Sequence, residues 1–353
     1  MTRDLKASYA RHVRGRVLAT CGLAALMGVL ALVSLRIGSY PLSFADLVHA
    51  LAGEAEAGTR HVLFRIRFPR VGAALLAGGC LGLAGAALQN VLRNPLASPF
   101  TLGVSQGAAF GAAFAIILLD AGAVSAAGSS RVAVHSPYLV VATAFLGAVG
   151  TVAVLLLLST WRRLTPAALI LAGVALSSFF GAATMFLQYF GSDIEVAAAV
   201  FWTFGDLGKA GWAELAAIGG VLVPSVAYFV WRRWHFNALL WGDDTARSLG
   251  ANVFRLRLIS LILAALMLAV TTAFLGIIGF VGLIAPHIMR MITGQDHRFL
   301  FPCSVFAGAA LLLVSDVLAR TVMAPVVLPV GILTSFAGAP LFLYLLVCKG
   351  DLR

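Results

Sequence analysis

Long apolar runs separated by short polar breaks dominate the chain. They fall near residues 17–37, 71–92, 101–119, 138–160, 167–190, 214–231, 258–275, 277–293, 299–319 and 331–348. Each approaches or exceeds the roughly 18 residues a helix needs to cross about 30 Å of hydrocarbon. The alternating segments of about ten residues that a membrane β-barrel requires are missing. The pattern predicts an all-α integral membrane protein with ten transmembrane helices in one domain, residues 1–353. The division within 258–289 is the least direct. That run has no charged residue, and as one helix it would reach about 48 Å. Gly276, Gly279 and Gly282 offer places to break it in two.

Charge supports the division. With ten spans and an inside N-terminus, the outer side holds only Arg36, Arg60, Arg65, Arg67, Arg70, Arg131, Lys209 and Arg320 of the 25 basic residues. The rest lie inside, as positively charged cytoplasmic loops require. A single helix over 258–289 would move Arg290 and Arg298 outside. Arg11, Arg14 and Arg16 precede an apolar run over 17–35 that is too long for a signal-peptide core, so it reads as the first span.

Composition agrees: 61% of residues are hydrophobic and 11% charged, against about 25% charged in soluble domains. The net charge of +11 sits mostly in the inner loops, which argues against a nucleic-acid surface. No GxxxxGK[ST] phosphate loop occurs, and no Cys/His set has zinc spacing. Cys21, Cys80, Cys303 and Cys348 read as buried free thiols. Asp316 is the one acidic residue deep in a span, spaced to pair with Arg320 on the same helix face. Proton-coupled carriers use intramembrane ionisable relays. Their scarcity places the energy source in another subunit.

Five features are candidates for function. Residues 85–107, GAALQNVLRNPLASPFTLGVSQG, interrupt two apolar runs with polar side chains, and Pro95 and Pro99 turn Asn94 and Ser98 away from helix. Gly103, Gly107 and Gly111 then recur at a helix-packing interval. The loop 232–257, RRWHFNALLWGDDTARSLGANVFRLR, is the longest inner loop. Asp243 and Asp244 suit a helix start and Gly250 a helix stop, predicting a short helix parallel to the membrane. The outer cluster Arg65-Ile66-Arg67-Phe68-Pro69-Arg70, with Arg60, calls for an acidic partner. Residues 276–298 and 329–346 form further patterned blocks.

LQNVLRNPLASPFTLGVSQGA resembles the segment between the second and third transmembrane helices of the FecCD-type permeases. These import iron-siderophore complexes, haem and cobalamin. GDDTARSLGANV, GIIGFVGLIAPHIMRMITGQDHR and PVGILTSFAGAPLFLYLL also resemble that family. The resemblance implies a type II ABC importer permease fold with both termini cytoplasmic, in the bacterial inner membrane. It implies a homodimer, two ATP-binding subunits and a periplasmic or lipid-anchored substrate-binding protein. ATP and magnesium would serve the partner ATPase, with no cofactor on this chain and no enzyme activity of its own. The cargo would be an iron chelate, foremost a ferric siderophore, with haem or cobalamin as options. A secondary transporter working alone is the alternative.

Residue roles follow by the same resemblance. Arg67, Arg70 and Arg320 would dock the binding protein. Ser98, Thr101, Ser105, Gln106, Ser177 and Ser178 would line the pathway. Leu164, Thr165 and Pro166 would form the cytoplasmic gate. Asp243, Asp244, Ala246, Arg247, Leu249 and Gly250, within 236–255, would couple to the ATPase.

Overall fold

The computed structural model describes residues 2–38, 40, 42–98, 100–121, 123–125, 132–134, 136–162 and 165–348. Its helices are α1 (Thr2–Arg36), α2 (Phe44–Ala52), α3 (Ala57–His61), α4 (Phe68–Val91), α5 (Val104–Ile117), α6 (Pro137–Arg162) and α7 (Pro166–Phe190). They continue as α8 (Asp193–Thr203), α9 (Trp212–Leu239), α10 (Asp243–Ser248), α11 (Val253–Leu275), α12 (Val281–Thr293), α13 (His297–Thr321) and α14 (Val330–Cys348). A π-helical segment, Val62–Arg67, joins α3 to α4. One short antiparallel strand pair, Ala123–Ser125 with Val132–Val134, accompanies the helices among the described residues.

Among the described residues, seven helices are long and apolar enough to cross a membrane, and three shorter apolar ones, Val104–Ile117, Val281–Thr293 and Val330–Tyr344, accompany them. The run 258–289 is divided as its length demanded. Gly276 takes φ +81° at the end of α11, and Phe280 takes φ +63° immediately before α12. Gly282 is not part of the break; it lies inside α12.

Helix ends follow local chemistry. Thr165 caps α7 by accepting from Ala168 N, with Pro166 opening the helix. Ser192 and Glu195 form a capping box on α8, a helix that the apolar pattern did not predict. Each such cap satisfies backbone N–H groups that a helix start leaves unpaired.

The core is α4, whose most apolar window is 83% buried. It reaches that depth because its contact faces carry glycine. A methyl group on Gly85 would come within 1.7 Å of Gly282 O in α12, and one on Gly82 within 2.1 Å of Ser304 O in α13. On α5, Gly107 and Gly111 meet Gly147 O and Thr143 O of α6 at 2.5 and 2.1 Å in the same construction. In a bilayer no hydrophobic push drives helices together, so close backbone contact supplies the attraction. These glycines therefore serve packing.

Candidate functional site

Polar chemistry collects at the two ends of the bundle. At the end carrying α10, α4 stops at Val91 and a tight turn follows. Arg93 adopts φ +46°, a conformation uncommon for a residue with a side chain. Arg93 N donates to Asn90 O, Asn94 N to Gln89 O, and Asn94 Oδ1 accepts from Leu96 N. The turn aims the Arg93 guanidinium at Asp243 Oδ1 in the first turn of α10. Arg257, on α11, grips the same carboxylate through Nη1 and Nη2 at 2.8 and 2.9 Å. Asp243 therefore ties three elements together, a directional pairing of the kind guanidinium and carboxylate favour.

A second network lies deeper at this end. Arg290 donates to Gln89 Oε1 at 3.0 Å, and Gln89 Nε2 to Leu283 O at 3.3 Å. His297 is 1% exposed. Asn237 Oδ1 accepts from both the backbone N and the Nδ1 of His297, at 2.8 and 2.9 Å. The Nδ1 then carries the proton, and Nε2 accepts from Asn90 Nδ2 at 3.0 Å. Asn237 Nδ2 donates to Asp296 Oδ1 at 2.9 Å. Asp296 also accepts from Arg298 Nε, Nη2 and backbone N. Burial opposes ionisation of Asp296, but the hydrogen bonds from Arg298 and Asn237 outweigh it and hold the carboxyl at about 2. A pocket of about 320 Å³ opens here, lined by Gln89, Asn90, Arg93, Asn94, Arg290 and His297 among others.

Around α10 the predicted coupling residues divide. Ala246 is fully buried. Asp244 and Arg247 pair at 3.0 Å on the exposed face. Gly250 has φ +84° just beyond the helix, the stop expected of it. Trp241 and Leu249 are 81% and 68% exposed, leaving an apolar surface on either side of the helix.

The opposite end holds the three arginines expected to dock a partner. Arg67, Arg70 and Arg320 do not stand free on the surface. Arg67 is buried, and its guanidinium donates to the carbonyls of Leu35, Arg36 and Tyr40. Arg70 Nε donates to Asp316 Oδ1 at 2.7 Å, and its Nη2 lies 3.4 Å from Asp206. Arg320 donates to Ile37 O and to Ser34. Its Nη2 lies 3.0 Å from Asp316 Oδ2, an ion-pair distance without hydrogen-bond alignment. The physical reason is the π-helical segment, which turns Arg67 inward against the carbonyls that end α1. Arg60 and Arg65 are the exposed cations of the cluster.

A backbone junction completes this end. Ile277 N donates to Thr203 O, Asp206 N to Leu275 O, and Gly331 N to Gly205 O. The end of α8 and the loop after it are thus paired both to the break between α11 and α12 and to the start of α14. Lys209 caps this loop by donating to the carbonyls of Trp202 and Phe204. Burial pushes its ammonium pKa down, and Asp206 partly opposes that.

The predicted pathway residues are not brought to one surface. Ser98 and Ser105 are 6% and 2% exposed, enclosed by the chain. Gln106 and Ser177 are half-buried, and Ser177 Oγ donates to Gly173 O at 2.9 Å. Ser178 is exposed, with Val174 and Phe179 beside it on α7. Thr101 lies in a short 3₁₀ turn. Of the gate, Leu164 lies outside the described residues, Thr165 is the α7 cap and Pro166 opens that helix. The sequence reading missed Asn237, Asp296, Arg290 and His297 as one network. Their signal was weak: single polar residues at the edges of separate apolar runs.

Apolar helices with polar networks confined to the two ends define a multi-pass membrane permease. Comparison with known proteins places it further. The chain belongs to the FecCD transport family, whose model matches residues 26–348. It is 49% identical to an ABC transporter permease protein of Methanocaldococcus jannaschii over 344 residues, covering 98% of each chain. It is 36% identical to the hemin transport system permease protein of Yersinia pestis, covering 94% of this chain and 96% of that one. Among solved structures, an inward-facing metal-chelate type ABC transporter matches with a TM-score of 0.81 and 32% identity. That match covers 93% of this chain and 98% of the other.

Proposed function

We propose that this chain is the permease subunit of a binding-protein-dependent ABC importer carrying an iron chelate, foremost a ferric siderophore, across the cytoplasmic membrane. Two copies would enclose the pathway, each with ten spans and both termini inside. α10 would seat in an ATP-binding subunit. The observation that carries the reading is the Asp243 clasp: Arg93 and Arg257 bind the first turn of α10 to the ends of α4 and α11. A push on α10 is thereby delivered to the central helix of the bundle. The exposed Trp241 and Leu249 give a partner an apolar grip beside it. Buried aromatic anchors of this sort dominate protein interfaces.

Substrate delivery would occur at the α8 end. There Arg67, Arg70 and Arg320 would hold the shape of the docking platform from within, and Arg60 and Arg65 would meet acidic residues of the binding protein. The relative that transports hemin and the metal-chelate transporter structure support an iron chelate as cargo. The test is uptake in proteoliposomes holding this chain, its cognate ATPase and binding protein. Chelate accumulation that needs ATP and the binding protein is expected. Uptake by this chain alone under an ion gradient would overturn the reading in favour of a secondary transporter.

A further inference from the structure

We propose that a groove between α1, α12 and α13 seats one anionic phospholipid, with Arg16 and Arg298 at its headgroup end. The groove is apolar and has a volume of about 180 Å³, lined in part by Gly22, Leu23, Leu26, Met289, Ile292 and Cys303. Its α1 side is a single helix face, because Ala19, Gly22, Leu23 and Leu26 recur at helical spacing. That helix is peripheral: only 6% of its apolar window is buried. The surface around the groove therefore faces lipid, and an acyl chain is the occupant a bilayer supplies.

The headgroup preference rests on charge. Arg16 lies one turn before Ala19 on the same face and reaches Asp296 through Nη1 at 3.5 Å. Arg298 Nη2 meets the same carboxylate at 2.7 Å and its guanidinium stacks over Trp234 at 4.9 Å. Among the described residues, two cations thus face one carboxylate at the groove mouth. Asp296 is saturated by Arg298, Arg16 and Asn237, whereas Arg16, whose guanidinium lies over the Phe299 ring at 5.9 Å, reaches that carboxylate through one nitrogen at 3.5 Å. Trp234 is 55% exposed, and aromatic rings of this kind settle at headgroup level. A lipid phosphate without a compensating cation of its own, such as phosphatidylglycerol, complements this mouth. Zwitterionic phosphatidylcholine complements it less. One uncompensated cation near a membrane surface favours an anionic lipid by about five-fold.

The test uses the full-length chain in detergent, with phosphatidylglycerol and phosphatidylcholine of matched acyl chains, read by native mass spectrometry. The chain should retain phosphatidylglycerol about five-fold over phosphatidylcholine. Arg16→Gln should bring that ratio near one, and Arg16→Lys should keep it. Arg14→Gln, at the same depth but on the opposite helix face, should leave it unchanged. Gly22 has open space where a side chain would stand, so Gly22→Leu should fill the groove and lower retention of both lipids. Equal retention of the two lipids by the unaltered chain would overturn the proposal. So would loss of the ratio in Arg14→Gln as large as in Arg16→Gln, or full retention in Gly22→Leu.

Discussion

The guanidinium of Arg93 closes on the carboxylate of Asp243, 150 residues further along the chain. The contact joins the turn that ends the most buried helix to the first turn of a short, largely exposed one. Asp243→Asn removes the charge and leaves Arg93 and Arg257 facing a neutral amide. Hydrogen bonds to charged groups contribute about 1.5–3 kcal/mol. Under the proposed coupling role, ATP-driven uptake should fall by about ten-fold or more, beyond what any accompanying drop in the thermal unfolding midpoint in detergent accounts for. Arg247→Ala, which removes only the exposed pair with Asp244, should leave uptake within about two-fold. Equal effects from the two substitutions would sink the idea that the clasp transmits force.

Gly85 and Gly282 bring α4 and α12 to backbone contact. Gly85→Ala places a methyl group 1.7 Å from a main-chain oxygen, and no side-chain rotation relieves that clash. Overpacking of this kind costs about 1–3 kcal/mol or more. Gly85→Ala should lower the unfolding midpoint clearly, whereas Gly150→Ala, in open space, should not. Fluorescence-detected size exclusion after a heating series would separate the two.

This packing also explains what was legible in the sequence. The spans followed from run length, because hydrocarbon thickness sets a minimum that composition alone reveals. The break after Leu275 followed from the same length argument. The internal pairing of Arg67 and Arg70 was not legible. Arg67 reaches carbonyls 27 to 32 residues earlier from within a π-helical segment, and Arg70 reaches Asp316 246 residues later; no local pattern encodes either, whereas the Arg320–Asp316 pair followed from helical spacing. α8 was missed because its capping box sits in a stretch too short to read as a span. The Asn237–His297–Asp296 network was missed because its members come from different runs and meet only when α9 packs on α13.

Asp316 is fully buried between Arg70 and Arg320. Removing one partner of such a cluster leaves uncompensated buried charge and costs about 3–5 kcal/mol. Asp316→Asn should therefore lower expression and the unfolding midpoint. If it instead left stability intact and weakened only association with the binding protein, the internal role assigned to these arginines would be wrong.

Arg60→Glu and Arg65→Glu, by contrast, change exposed cations. Under the proposed docking role each should slow association with the binding protein and reduce its salt dependence, since rim charges act mainly on the on-rate. Stopped-flow association at low and high salt would read this. Unchanged rates at low salt would move the docking surface elsewhere.

Asp296 gives the bundle a defined acid sensitivity. Its carboxyl sits at about 2 in the folded chain, against an ordinary value of 3.8. A depressed folded pKa means that the ionised group is stabilised by folding. The contribution is complete above about pH 4, where the group is ionised in both states. Below that the unfolded chain takes up the proton first, and the contribution is lost as pH falls towards about 2. Asp296→Asn keeps a side chain able to cap α13 but loses the charge that Arg298 and Arg16 share. Near neutral pH it should be less stable than the parent chain by about 1–3 kcal/mol. The gap should then narrow steadily between about pH 4 and about pH 2, because the parent loses what the variant never had. Other carboxylates titrate in the same window, but they are common to both chains and cancel in the difference. Paired unfolding midpoints across that range would show it, and a gap that stayed constant would mean that Arg298 and Asn237 do not stabilise the ionised carboxylate.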